Sequence, residues 1–367
     1  MTTTADVLVL GGGIAGLTTA LAATQRRLSV IVVDAPRPGA ASRAAAGMLA
    51  PSVEDVPAEM HAAAFRARDF YPDFVAALRE LTGVDVPLDR RGILQLASES
   101  DANELRRSAA DGATWFDPQT LGSLEPAFAD HPGALLHPLD GAVDNIILMD
   151  ALERAVDAEP AIQRVAAEVI TLDADQPSAL TRTRGRFFAS RLVLATGAWA
   201  GGFPGLPRPL PVRPVRGQLM RLAQSPIHHV TYGAGGYLVP RGDTTLIGAT
   251  SEEAGFESET SLAGLAALRQ IAARAVAGLS GAPVVDHWAG LRPMSLDTHP
   301  ILGADPDAPA LVYACGFSRN GILFAPWAAE RLGRVLVGEP APELEPFRVD
   351  RPTLAAAGRT GPATASD

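Results

Sequence analysis

The spacing of apolar residues switches from strand-like to helix-like and back within the first 34 positions. Val7 to Leu10 form a short continuous apolar run, glycines stand at 11, 13 and 16, and the following "IAGLTTALAATQRRL" repeats its apolar residues with a helical period. A second run, "VIVVD", ends in Asp34. The pattern predicts strand, tight turn, helix, strand. The glycines differ in what they allow. Gly11 permits the turn, Gly13 lets backbone approach a pyrophosphate at the helix amino terminus, and Gly16 allows the helix to pack closely on the strand. Asp34 lies 23 residues after Gly11, where a carboxylate can accept hydrogen bonds from a ribose. An ordinary strand-to-helix turn also uses glycines, but the framing strands and the terminal acid favour a dinucleotide site.

Further along, "RLVLATGAWA" (Arg191 to Ala200) is a short apolar strand ending in Ala-Thr-Gly, suited to a parallel strand that passes beside a cofactor before a sharp exit. "VAAEVITLDAD" and "RGRFFASR" predict a small antiparallel excursion. Residues 86–140 and 211–287 alternate short strands with turns, apart from the helical "SLAGLAALRQIAARAVAGL". They predict one mostly antiparallel sheet assembled from separated segments. A last helix starts near Asn320 and Gly321 and runs through "ILFAPWAAERLGRVLVG". The expected fold is α/β: a Rossmann-like dinucleotide domain formed from residues 1–85, 141–210 and 288–345, and an α+β substrate domain formed from 86–140 and 211–287. Residues 346–367, ending in "TLAAAGRTGPATASD", are expected to be a disordered tail.

Composition narrows the partners. With 367 residues and 47% apolar content the chain can bury a large core. Its 31 basic residues against 41 acids give a net charge of -10, and no basic stretch is dense enough to follow a polynucleotide backbone. Cys315 is the only cysteine, so neither an intramolecular disulfide nor a cysteine metal cluster can form. That suits a reducing cytoplasm. "MTTTADVLVLGGG" lacks the basic start and cleavage region of an export signal, and its apolar run is too short to span a membrane. His228, His229, His287 and His299 show no metal-ligand spacing and are expected to be structural or surface residues, with no metal bound.

After Asp34 comes "APRPGAASRAAAGMLAPSVED", whose small residues let backbone lie flush against a flat ligand. Together with "GGGIAGL", "GLRP" and "RNGILFAP", this stretch resembles the glycine oxidase and D-amino-acid oxidase family of FAD-dependent amine oxidases. "AAAGMLAP", Ala44 to Pro51, is closest to glycine oxidases of the thiamine-pathway type, and the resemblance extends from about Asp6 to Gly338. It implies FAD, with cofactor contacts at Gly11, Gly13, Ile14, Ala15, Gly16 and Asp34. Further contacts are implied at Ser42, Ala45, Ala46, Gly47 and Met48, at Thr196 and Gly197, and at Val169, whose backbone would pair with the adenine. A plain core valine is the alternative for Val169. Gly316, Ser318, Arg319, Asn320, Gly321 and Ile322 complete the implied set, the last helix aiming its positive end at the flavin's pyrimidine oxygen.

Two arginines stand in apolar surroundings, Arg292 in "AGLRPM" and Arg319 in "GFSRNGILF". Each could pair with a structural carboxylate. Arg292, however, is expected to end a strand, where sites of such folds collect, and an arginine fork grips a carboxylate with two parallel hydrogen bonds. The resemblance makes Arg292 the clamp for an amino acid carboxylate, Tyr237 the tyrosine closing over the substrate, Arg319 a second polar group beside it, and Ser251 a wall of the pocket. At the position of Phe317 the family often has histidine, so no imidazole is needed there. A neutral substrate amine can stabilise the imine as the α-hydrogen leaves as hydride to flavin N5, so the protein's work is positioning and electrostatics. The expected activity is oxidation of glycine, and more slowly of sarcosine or small D-amino acids, with oxygen as acceptor. The imine would be available to thiamine synthesis, and the family suggests a homotetramer. A D-amino-acid oxidase or dehydrogenase with a wider pocket, and a flavin-binding assembly partner without turnover, are the alternatives.

Overall fold

A computed structural model describes residues 3–54, 56–108 and 112–357. In it the first apolar run is the strand Thr3–Leu10, covered on both sides. Val7 and Val9 face one core with Leu17, Ala20 and Trp327, while Leu8 and Leu10 face another with Ile31, Leu194 and Tyr313. Successive residues of a strand point to opposite faces, so a run that is apolar throughout demands cover on both. The sheet built around it has eight strands. Its parallel part runs, in spatial order, Ile162–Ala166, Val30–Asp34, Thr3–Leu10, Gly185–Leu194 and Leu311–Cys315. Helices Ile14–Thr24, Asn145–Ala158 and Gly321–Leu336 cover one face. The Gly185–Leu194 strand serves two partners in turn: its first residues pair antiparallel with Ser178–Thr181, its last residues parallel with Leu311–Cys315.

The second sheet also has eight strands, in the order Val284–Ser295, Val212–Leu222, Thr244–Gly248, Gly236–Arg241, Val230–Gly233, Ile93–Leu96, Ala134–His137 and Thr114–Phe116. All neighbours are antiparallel except Val230–Gly233 and Ile93–Leu96. One face carries the helix Leu262–Ala275, whose Leu268 and Ile271 pack with Met220, Leu238 and Ile247. Ser261 caps it, its hydroxyl accepting from the Gly264 N–H at 3.1 Å. The opposite face, with Leu219, Val239 and Leu246, rests on Ala46 and Ala50 of the small-residue segment. The α/β architecture with a second, mostly antiparallel sheet is therefore present.

Two expectations need correction. The boundary placed at residue 288 falls inside the longest pairing of the second sheet, Val212–Leu222 with Val284–Ser295, so Arg292 stands within a strand of that sheet and does not end one. The tail expected from residue 346 is packed as far as 357. Phe347 is fully buried with its ring edge-on to Phe324 and Trp327, and the helix Pro352–Ala357 follows. Arg351 fastens this segment with two 2.7 Å hydrogen bonds to the Asp297 carboxylate, both side chains nearly inaccessible. A composition rich in alanine and threonine conceals such a staple. Residues 358–367 of the expected tail lie outside the described residues. Between 86 and 140 the chain also contains two short helices, Ala102–Arg107 and Pro118–Leu124.

Burial pushes the Asp297 carboxyl up, but its bonds to Arg351 outweigh this and hold it below the usual range. Such a group stabilises the fold above the unfolded carboxylate pKa and loses that contribution as pH falls through its lower folded value. Arg351→Ala should therefore cost about 3 kcal/mol in urea unfolding at pH 7, the typical loss on breaking a buried pair. The gap to the parent should narrow as pH falls below about 4.

Candidate active site

A cleft of about 960 Å³ opens between the two sheets, at the carboxyl ends of the parallel strands. Its floor begins at Gly11, whose φ of +111° and contact with the Ala195 carbonyl leave no space for a side chain. Gly13 then enters the helix Ile14–Thr24 in extended conformation without a side-chain cap of its own. The Ile14 N–H donates instead to Ser42 Oγ at 3.0 Å, so the helix amino terminus faces the cleft with a hydroxyl from another segment across it. Asp34 lies against Gly12, where a Cβ would come within 2.9 Å of its carboxyl group. Burial raises the Asp34 pKa, and the Gly12 N–H opposes the rise.

The small-residue segment forms the next part of the wall, held by side chains from outside it. Asn145 Nδ2 donates to the carbonyls of Ser42 and Arg43, both at 3.1 Å, Trp288 Nε1 donates to the Ala44 carbonyl at 2.9 Å, and Arg241 Nη2 donates to the Ala46 carbonyl at 2.9 Å. Gly47, with φ +79°, presses on the Val143 carbonyl. Ser42, Ala45, Ala46, Gly47 and Met48 all line the cleft. Thr196, Gly197 and Val169 line it opposite, and the buried Thr196 hydroxyl has no partner among the described residues. An orphaned hydroxyl in a cleft of this kind is satisfied by a polar ligand. Ser318, Arg319, Gly321 and Ile322 close the wall where the helix Gly321–Leu336 begins.

Three residues expected at the cofactor stand behind the wall. Gly16 supports it by packing against the Gly11 carbonyl. Gly316, with φ +66°, turns the chain beside Ile301 and Ser295. Asn320 starts the last helix, its carbonyl accepting from the Phe324 N–H at 2.9 Å.

At the other end of the cleft the second sheet presents Arg292 and Tyr237, which reach toward each other over glycines. Four neighbouring strands carry Arg292, Gly217, Gly248 and Tyr237 in turn. A Cβ at Gly217 would collide with the Arg292 guanidinium, and one at Gly248 with the Tyr237 ring, so both side chains lie flat on bare backbone. Arg292 Nη1 donates to the Thr250 carbonyl at 3.0 Å, and no carboxylate among the described residues forms an ion pair with it. Burial lowers the Arg292 pKa, and burial pushes the Tyr237 hydroxyl up to about 12. Ser251 and Arg319 line the same end and are both exposed, Arg319 on a turn after the buried Phe317. The apolar run around Arg319 thus splits at a turn that releases its side chain toward the cleft. Sequence reasoning passed over Glu54, which also lines this cleft and whose carboxyl burial pushes up to about 7. It passed over Gly217 and Gly248 as well. Their signal was present as glycines in otherwise well-formed strands, the sign of close approach.

Residues 6–334 match the family model described as FAD dependent oxidoreductase. The chain belongs to this family of FAD dependent oxidoreductases. Glycine oxidase of Geobacillus kaustophilus is 33% identical over 371 residues, covering 96% of this chain and 98% of that protein. The crystal structure of glycine oxidase from Geobacillus kaustophilus superposes with a TM-score of 0.87 at 30% identity, covering 95% and 99% of the two chains. The bifunctional protein ThiO/ThiG of a Synechocystis species is 36% identical over 353 residues, covering 92% of this chain. The chain spans about half (52%) of that bifunctional relative's length. The family cofactor fits the cleft: bare backbone at Gly11 and Gly47, a helix amino terminus facing the cleft, the orphaned Thr196 hydroxyl and the carboxylate of Asp34 are donors, acceptors and spaces suited to FAD. No helix among the described residues is long and apolar enough to cross a membrane.

Asp34→Ala should weaken FAD retention about tenfold to a hundredfold, the worth of hydrogen bonds to a charged acceptor. The recovery of flavin fluorescence on dilution would measure it, with the fold unchanged by circular dichroism.

Proposed function

We propose that the chain is an FAD-dependent amine oxidase acting on glycine, and more slowly on sarcosine and small D-amino acids, giving the imine or glyoxylate, ammonia and hydrogen peroxide. The observation that carries this reading is Arg292: a guanidinium with one backbone acceptor and no carboxylate ion pair among the described residues, laid flat over Gly217 beside Tyr237 in the same cleft as the cofactor walls. Its remaining donors suit a substrate carboxylate, which an arginine fork orients as well as binds. The Tyr237 hydroxyl stays protonated at neutral pH and can donate to the same carboxylate. The two therefore fix one end of an amino acid and leave its α-carbon and amine to extend toward the cofactor. Bound FAD supplies the acceptor for two electrons and the α-hydrogen.

A D-amino-acid oxidase or dehydrogenase is the second reading, favoured by the exposed Ser251 at the rim of the cleft. The ThiO/ThiG relatives support a supply of glycine imine to thiazole formation in thiamine synthesis. The net charge of -10 and the single, buried cysteine support a cytoplasmic location. The family resemblance supports a homotetramer.

Anaerobic mixing with glycine, sarcosine, D-alanine and D-proline, followed by flavin absorbance, tests the reading. Glycine should bleach the flavin quickly, and air should restore it with release of peroxide. Bleaching only by the bulkier D-amino acids would establish the second reading instead. Arg292→Ala should raise the KM for glycine about a hundredfold or more while the protein still purifies yellow. Gly217→Ala should raise it about tenfold by displacing the guanidinium, again with flavin retained.

A further inference from the structure

Among the described residues four acidic side chains line the cleft: Asp34, Glu54, Glu153 and Glu168. Three are engaged. Asp34 accepts from the Gly12 N–H, Glu153 pairs with Arg43 at 2.9 Å, and Glu168 pairs with Arg182 at 2.6 Å and Arg37 at 3.3 Å. The Glu54 carboxylate alone has neither an ion pair nor a hydrogen bond among the described residues, although Arg319 and Arg292 are near enough to act on it through space. Its position is nevertheless built with care. Two residues before it, Ser52 gives both its N–H and its hydroxyl to the Asp140 carboxylate, at 2.9 and 3.0 Å. Asp140 is fully inaccessible and is held in turn by Arg68 at 2.9 Å. The Glu54 N–H donates back to the Ala50 carbonyl at 3.1 Å, closing the turn. A buried ion pair thus fixes a turn from which the unpartnered Glu54 carboxylate faces the substrate end of the cleft.

We propose that Glu54 receives the substrate's amino group, taking the ammonium proton on a carboxylate oxygen while Arg292 grips the substrate carboxylate. The proposal rests on the amine-oxidase reading and deepens it. A free amino acid is a zwitterion, and this end of the cleft offers both signs of charge: guanidinium groups at Arg292 and Arg319, a carboxylate at Glu54. Oxidation requires the nitrogen lone pair, which the ammonium form lacks. In the transfer one N–H bond breaks, its electron pair stays on nitrogen, and the proton forms an O–H bond on Glu54. The charges of ammonium and carboxylate vanish together, which suits a partly desolvated place. After product leaves, the proton passes to water. Burial sets the Glu54 pKa at about 7, a stronger base than an exposed glutamate yet still ionised in half or more of the molecules at neutral pH and above. The charged and titratable groups acting on it are Arg319, Arg292, Asp140 and Tyr237.

The test uses the FAD-loaded protein and two ligands, glycine and acetate, the second having the carboxylate but no amine. In the parent, acetate binding, read as a perturbation of the flavin spectrum, should tighten as pH falls through about 7, because protonated Glu54 no longer repels it. Bleaching by glycine should slow over the same range. In Glu54→Gln the acetate step should disappear, glycine bleaching should fall about tenfold to a hundredfold, and its pH dependence near 7 should be lost. Glu54→Asp should recover part of the rate and the step. Bleaching of Glu54→Gln at the parent's rate with the parent's pH profile overturns the role of Glu54 and leaves the amine-oxidase reading standing. No bleaching of the parent by glycine at any pH overturns that reading and this proposal with it. Should Glu54→Gln fail to hold flavin, the parent decides: glycine and acetate following pH in the same direction overturns the proposal.

Discussion

A half-buried guanidinium with no carboxylate hydrogen-bonded to it is expensive, because desolvation of the cation is repaid only by a partner. Among the described residues Arg292 has one hydrogen-bond acceptor, the Thr250 carbonyl, and the rest of the cleft is arranged around that deficit. The antiparallel sheet keeps two glycines in adjacent strands so that the arginine and Tyr237 can lie against it and not project from it. The cofactor walls stand below, at the carboxyl ends of parallel strands. An anion that settles on Arg292 is therefore held between a polar ceiling and a redox-active floor.

The floor depends on a different constraint. A segment composed mainly of alanine and glycine can approach a flat ring closely, yet has no side chains with which to hold itself in place. Asn145, Trp288 and Arg241 hold it, one from a helix of the parallel layer and two from the second sheet. Each uses its donors on main-chain carbonyls, leaving the inner surface of the segment unobstructed. The two layers are consequently coupled by hydrogen bonds at the segment proposed to contact cofactor, and the carbonyls of Ser42, Arg43, Ala44 and Ala46 are satisfied there.

How much of this could be read beforehand depended on distance along the chain. The strand, turn and helix from Val7 to Asp34 were legible because each apolar period and each glycine acts on neighbours a few residues away. The second sheet was legible as a kind of sheet, but not in its edges: nothing local in "HWAGLRPMS" reveals that it pairs over nine positions with the strand from Val212. Arg351 escaped because its partner, Asp297, is 54 residues distant. Glu54 escaped for a similar reason, since "SVED" reads as a polar loop until Asp140 is seen to hold it. Arg292 and Tyr237 were found by resemblance and chemistry, whereas what Gly217 and Gly248 make room for became visible only when four strands stood side by side.

Gly217 and Gly248 also limit how such a cleft can change over evolutionary time. A new side chain at either would strike Arg292 or Tyr237, so neither glycine is a position at which pocket width can be varied by a single substitution. Variation is freer in the loops at the rim, around Thr250 and Ser251 and at the turn that carries Glu54. A lineage exploring new amino acid side chains would diversify there first, keeping one grip on the carboxylate while altering everything the grip holds.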